Sequence, residues 1–328
     1  MYTHPDIANA AKVLDGEELT RFEALKLMRN VQKDDLMDLL ALANRVRKRF
    51  APAFGACSIV NAKSGLCDQN CRFCAQSAHY HTGIETYGLL SPAEVLAAAR
   101  EVYATGVRTF GYVTSGYGYD TPDCAEFRRI LDTVDLLRRE LPDLKLCVSL
   151  GILGMECVKK LAEHGVWRYN MNLQTNPARY AELVADTHSI DDKLRTIRYM
   201  QECGITNCTG GIIGLGETPE DRVALAFAVR ELAVEGITLN VLLPIKGTPV
   251  ERNPRVTPAE AAKTFAIFRL VNPARMIKLC AGRETTMKDF QGLLMLSGLN
   301  AIMTGGYLTT RGREVGDDMR LLRELEEF

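Results

Sequence analysis

No sign of charge prevails in this chain of 328 residues: 40 Lys and Arg stand against 41 Asp and Glu, a net charge of −1. Without a basic excess there is no global field to draw in nucleic acid or an anionic membrane. Long apolar runs are also missing. The stretch from Gly236 to Pro244 falls far short of the roughly 20 residues that span a bilayer. Met1-Tyr2-Thr3-His4-Pro5-Asp6 contains neither the basic nor the apolar segment of a signal peptide, so a cytoplasmic location is expected. There is no low-complexity segment, no fixed-period repeat and no linker long enough to mark a second domain. What is present is ordinary for a globular chain, 47% hydrophobic and 25% charged, which excludes intrinsic disorder and permits a large core. One residue type is in excess. Ten cysteines, in a compartment that keeps thiols reduced, point to metal binding or catalysis rather than to a disulfide framework.

The first fifty residues read as helical, with apolar spacings of three and four from Leu19 to Leu27 and from Asp35 to Phe50. From Ala56 onward short β-rich runs alternate with longer amphipathic ones. Eight strands are expected, centred on Ser58, Phe110, Val148, Asn170, Cys208, Asn240, Lys278 and Ile302. Ser91-Pro92-Ala93-Glu94 and Thr257-Pro258-Ala259-Glu260 read as capping boxes with Pro in the first turn. Gly106, Gly165, Gly204 and Gly236 fall where left-handed helix caps are wanted. Alternating strands and helices imply a parallel sheet with right-handed crossovers, and eight units fit a closed (β/α)8 barrel of the α/β class. The expected division is a helical extension over 1–50, the barrel over 51–315 and a C-terminal helix over 316–328. Chemistry in such a barrel belongs at the C-terminal ends of the strands.

The strongest local signal is Cys67-Asp68-Gln69-Asn70-Cys71-Arg72-Phe73-Cys74, a C-x3-C-x2-C loop after the first strand. Three thiolates so spaced can hold three irons of a four-iron cluster and leave the fourth open. A structural zinc site would want a fourth ligand, typically from a second close pair, and the sequence offers none. Inside the barrel, polar residues alternate and therefore share a face: Cys147 with Ser149, Asn170 with Asn172, Cys208 with Gly210, Lys278 with Cys280. Barrel interiors are normally aliphatic, so these groups need either a polar ligand or a hydrogen-bonded network among themselves.

The cysteine loop resembles that of the radical S-adenosylmethionine superfamily. Asn61-Ala62-Lys63-Ser64-Gly65, Gln76-Ser77-Ala78-His79-Tyr80, Tyr169-Asn170-Met171-Asn172, Gly210 to Thr218, Lys246-Gly247-Thr248-Pro249 and Ala281-Gly282-Arg283-Glu284 narrow the resemblance to its biotin-synthase branch, from about Ala56 to Thr310. The resemblance implies a four-iron cluster on Cys67, Cys71 and Cys74 that binds S-adenosylmethionine and generates a 5′-deoxyadenosyl radical. It also implies dethiobiotin as substrate, sulfur insertion from a second iron–sulfur cluster, a flavodoxin- or ferredoxin-type reductant, and a homodimer. Thr114, Ser115 and Gly116 match the segment receiving the methionine amino group. Asn172 and Gln174 match contacts to the adenosyl moiety, with Gln174 where the family usually has Asp. Lys193 matches a basic position near the methionine carboxylate, and Asn170 with Asn240 the positions holding the substrate's ring amide. Gly214-Leu215-Gly216 followed by Glu217 lacks the Lys of a P-loop and looks like the superfamily's adenine-side contact.

The chain departs from that branch at its second cluster. The usual two-iron site takes three cysteines and an arginine. Cys147 and Cys208 match two of these, but Gly111 and Lys278 occupy the other two positions. Cys57 and Cys280 appear instead, so four strands each offer one thiol to the interior, a soft donor set suited to a four-iron cluster. Cys124, Cys157 and Cys203 fall in helical segments and are given no role. Two rivals remain on the sequence alone: another barrel of the superfamily without sulfur transfer, such as a hydrogenase maturase or methylornithine synthase, and a non-catalytic iron–sulfur sensor.

Overall fold

The computed structural model describes residues 4–309 and 312–328. Met1, Tyr2 and Thr3 of the opening hexapeptide, and Thr310 where the family resemblance ends, lie outside the described residues. The chain opens with three helices, α1 (Pro5–Ala10), α2 (Arg21–Asn30) and α3 (Leu36–Phe50). Thr20 and Glu23 close a reciprocal capping box at the start of α2, and Leu39, Leu40, Leu42, Ala43 and Val46 form the buried stripe of α3.

Eight parallel strands follow: β1 (Gly55–Lys63), β2 (Thr109–Thr114), β3 (Lys145–Ser149), β4 (Arg168–Asn170), β5 (Thr206–Cys208), β6 (Gly236–Val241), β7 (Met276–Leu279) and β8 (Ala301–Met303). Each contains one of the eight centres expected from the sequence. Neighbours pair in order, β7 pairs with both β6 and β8, and β8 pairs with β1, so the sheet closes on itself. A short strand at Gly211–Ile213 resumes β5 after a break at Thr209 and Gly210 and pairs with β6. The crossover helices are α4 (Pro92–Ala104), α5 (Ala125–Glu140), α6 (Met155–Glu163), α7 (Ile190–Glu202), α8 (Pro219–Glu231), α9 (Pro258–Val271) and α10 (Gln291–Leu296), and α11 (Val315–Leu325) ends the chain. Packing α3 against α9 joins the N-terminal helices to the barrel.

The local signals mostly act as their chemistry requires. Ser91 and Glu94 form the reciprocal box that opens α4. Thr257 caps α9, but Glu260 does not reach back, because its carboxylate pairs with Arg222 at 2.7 Å. Gly106, Gly165 and Gly204 adopt φ of +94°, +73° and +73° as left-handed caps. Gly236 does not. It is the first residue of β6, and Ala233 takes the left-handed turn after α8 with φ +53°. Gly236 is small for another reason: a Cβ there would come within 2.7 Å of Met276 and 3.2 Å of Cys208 Sγ. Among the described residues no helix is long and apolar enough to cross a membrane.

Candidate active site

β1 leaves the C-terminal end of the barrel and runs into the cysteine loop. The loop is folded on itself by Cys67 N–H donating to Gln76 O at 3.1 Å and Ala78 N–H donating to Cys67 O at 2.7 Å. Arg72 N–H ties it to Val184 O at 2.8 Å. Burial pushes the Cys74 thiol up to about 12, with Cys71 adding to the rise, and it raises Cys67 and Cys71 as well. Thiols so placed ionise when a metal supplies positive charge. Among the described residues no three ligand side chains converge tightly enough for a single metal ion. The loop's three sulfurs instead border an open cleft, as a cluster with an exposed iron requires.

That cleft, about 1250 Å³, brings together nearly every residue singled out for the cofactor: Cys67, Cys71, Cys74, Thr114, Ser115, Gly116, Asn172, Gln174 and Lys193, with Asn170 alongside. Ser115 Oγ donates to Gly65 O at 2.7 Å, fixing the end of β2 to the cysteine loop. Asn172 Oδ1 accepts from Gly210 N–H at 3.0 Å, and Lys193 Nζ donates to Asn172 O at 3.1 Å. Burial lowers Lys193, and the neighbouring Cys71 and Cys74 pull it partly back. Gln174, at φ +71°, has a buried Oε1 with no hydrogen-bond partner. An orphaned acceptor is unfavourable by about 1–3 kcal/mol, and a ligand carrying hydroxyl donors satisfies it.

His188 also lines the cleft and was not foreseen. Its ring bridges Tyr180 Oη at 2.7 Å and Gln69 Oε1 at 3.0 Å. Because the Gln69 oxygen only accepts, Nδ1 carries the proton and Nε2 accepts from the phenol. Burial, reinforced by Lys193, pushes His188 down to about 4. This neutral bridge fastens the cysteine loop to Tyr180, whose ring lies 5.5 Å from Lys193 Nζ.

The two asparagines expected to share the substrate lie in different cavities. Asn170 faces the cofactor cleft, and its side chain makes no hydrogen bond among the described residues. Asn240 lines a neighbouring, mostly apolar cavity of about 940 Å³. Its amide is already engaged, Nδ2 donating to Gly211 O at 3.1 Å and Oδ1 accepting from Ala281 N–H at 3.0 Å, which leaves one N–H and one lone pair for a ligand. Phe73, Cys74, Gln76, Met303, Tyr307 and Leu308 border both cavities and separate them.

Deeper in the barrel, Cys57, Cys147, Cys208 and Cys280 are all buried. Lys278 Nζ donates to Cys57 Sγ at 3.2 Å, and Cys208 Sγ meets Thr238 Oγ1 at 2.8 Å. Lys278 and Thr238 also line the cofactor cleft, whereas Cys280 lines the neighbouring cavity with Asn240. Burial lowers Lys278, but negative charge on Cys208, Cys57, Cys280 and Cys147, once those thiols are ionised, outweighs it and raises the ammonium well above its ordinary value. Burial conversely keeps Cys147 up at about 12 and raises Cys280. The arrangement is self-consistent when a metal ionises the thiols. A soft, all-sulfur donor set fits an iron–sulfur cluster and excludes magnesium or calcium.

A closed parallel barrel whose first strand feeds a three-cysteine loop defines a radical S-adenosylmethionine enzyme, and the family model for that superfamily matches residues 63–229. Residues 238–326 match the Biotin and Thiamin Synthesis associated domain. The biotin synthase of Chlorobaculum parvum is 52% identical, the match covering 99% of this chain and 98% of that one. That of Chlorobium luteolum is likewise 52% identical at the same coverage. The chain belongs to the biotin synthase family. Among solved structures it resembles methylornithine synthase, with TM-score 0.83 and 19% identity over 96% of this chain and 95% of that one. It also resembles HydG, a maturase of the [FeFe]-hydrogenase, with TM-score 0.81 and 18% identity over 98% of this chain and 74% of that one. Those likenesses establish the shared fold, whereas half-identity over the full length places the chain among biotin synthases.

Proposed function

We propose that the chain inserts sulfur into dethiobiotin to make biotin, with S-adenosylmethionine as radical source and a second iron–sulfur cluster as sulfur source. The observation that carries the reading is the single cleft in which the three loop cysteines meet Asn172, Gln174 and Lys193 at the mouth of a thiol-lined barrel. Cys67, Cys71 and Cys74 would hold the first cluster, which when bound supplies the electron that splits the sulfonium. Lys193 would attract the cofactor's carboxylate, Thr114 to Gly116 its amino group, and Gln174 its hydroxyls. Asn170, with its amide free, would orient the substrate's ureido ring, and Asn240 would approach it from the adjoining cavity with its remaining donor and acceptor. The enclosing strands keep other hydrogen donors away from the radical.

Cys57, Cys147, Cys208 and Cys280 would hold the second cluster, with four terminal thiolates suited to a four-iron cube, and Lys278 would act beside it rather than as a ligand. A flavodoxin- or ferredoxin-type reductant, a cytoplasmic setting and a homodimer complete the proposal. The test is incubation of the reconstituted chain with S-adenosylmethionine, reductant and dethiobiotin. Substrate-dependent release of 5′-deoxyadenosine together with biotin supports the reading. Release of 5′-deoxyadenosine without biotin overturns it in favour of an enzyme without sulfur transfer.

A further inference from the structure

Arg168 opens β4 in register with Cys147 on β3 and Thr206 on β5, so its side chain enters the barrel at the level of that thiol. The guanidinium donates to Thr206 Oγ1 at 3.2 Å and approaches Met276 Sδ at 3.8 Å. On its outer side it stacks on Trp167 with 4.0 Å to the ring centroid. The residue is 8% exposed. Arg168 and Lys278 are thus two buried cations, and among the described residues neither has a carboxylate within ion-pair distance. None of the eight barrel strands carries an Asp or Glu.

A guanidinium does not shed its proton inside a protein, and a buried charge persists only when something opposite in sign compensates it. Aromatic stacking and one hydroxyl do not compensate a full charge. With no carboxylate on the barrel strands, the four thiols are the groups there that a cluster would make anionic, and Arg168 stands in register with one of them, Cys147, while its guanidinium and the sulfur of Cys208 both border Gly236. Four thiolates on a doubly charged four-iron cube leave two negative charges, and the barrel interior holds two cations.

We propose that Arg168 is a positioning residue for the second cluster: from the floor of the barrel its fixed positive charge, together with that of Lys278, balances the cluster's negative charge and stabilises its reduced form. This rests on the four-cysteine reading of that cluster. The neutral substitution R168Q and the charge-retaining R168K separate charge from shape, with iron, acid-labile sulfide and the midpoint potentials of both clusters as readouts. R168Q is expected to move the second cluster's potential to more negative values and to lose its iron and sulfide faster, and R168K to restore both. The first cluster, on a loop outside the barrel, keeps its potential. Equal potentials and iron content in R168Q and the parent protein overturn the proposal, as does an R168K that behaves like R168Q. If R168Q yields no folded protein, a potential in R168K matching the parent supports the role of charge and a negative shift overturns it. A Cys57→Ala, Cys280→Ala protein that keeps all its iron would instead show that the four-cysteine reading has failed.

Discussion

Lys278 Nζ reaches past the strand between them to donate to Cys57 Sγ at 3.2 Å, joining β7 to β1 inside the barrel. The intervening strand allows this because Lys278 registers with Ala301, which in turn registers with Gly55, so small residues leave the path open. One basic side chain is thereby fixed among four thiols contributed by separate parts of the barrel wall.

The first prediction concerns those thiols. A Cys57→Ala, Cys280→Ala protein should retain the loop cluster and its cleavage of S-adenosylmethionine, but lose the second cluster's iron and all biotin formation. Iron counting with Mössbauer spectroscopy checks this. A retained two-iron signal beside the four-iron one would refute a four-thiolate cluster.

Replacing Cys67, Cys71 and Cys74 together by Ala should have the complementary effect. Cofactor cleavage vanishes while the second cluster's signal survives, since the loop lies outside the strands that carry the other thiols. Quantifying 5′-deoxyadenosine in the triple variant decides the matter.

The asparagines should differ. Asn170→Ala should weaken dethiobiotin binding by about 1–3 kcal/mol with little change in thermal stability, because its amide bonds to no other described residue. Asn240→Ala should also lower the stability of the protein by about 1–3 kcal/mol, because it strands Gly211 O and Ala281 N–H. Calorimetric titration and thermal unfolding on the same samples separate the two effects.

The sequence resemblance matches Gly111 to a cysteine position of a two-iron site, and introducing a cysteine there should not be neutral. A Cβ at this position lies 2.8 Å from Ile59 Cγ2. Gly111→Cys should therefore destabilise by about 1–3 kcal/mol through overpacking, with Ile59→Ala relieving the strain. Unfolding midpoints of the single and double variants provide the check.

His188 predicts a pH response of known sign. Its folded value of about 4 lies below the ordinary 6.5, so the neutral ring is the stabilising form. That contribution is complete above about pH 6.5 and fades as pH falls toward 4. The unfolding temperature of the parent protein should drop across that window more than that of His188→Asn. Parallel curves would show that the ring does not titrate with unfolding.

Strand positions were legible because alternation and short apolar runs survive in sequence without tertiary help, and the cysteine loop because its spacing is local. Gly236 misled because a glycine before a strand reads as a helix cap, whereas its smallness serves Met276 and Cys208 across the barrel. The separation of Asn170 from Asn240 depends on Met303, Tyr307 and Leu308 arriving from the far end of the chain, which no local pattern encodes. Arg168 was overlooked although it alternates with Asn170. A basic residue at the start of a strand reads as solvated, and only closure of the barrel turns it inward.

Trp167 is the chain's sole tryptophan, stacked on Arg168 and lying 5.1 Å from Lys145 Nζ. Red-edge excitation of this protein therefore samples one location, the lower end of the barrel, with no averaging over other indoles. Assembly of the cluster proposed for the four barrel thiols would be timed through that native optical label, independently of events at the open end of the barrel.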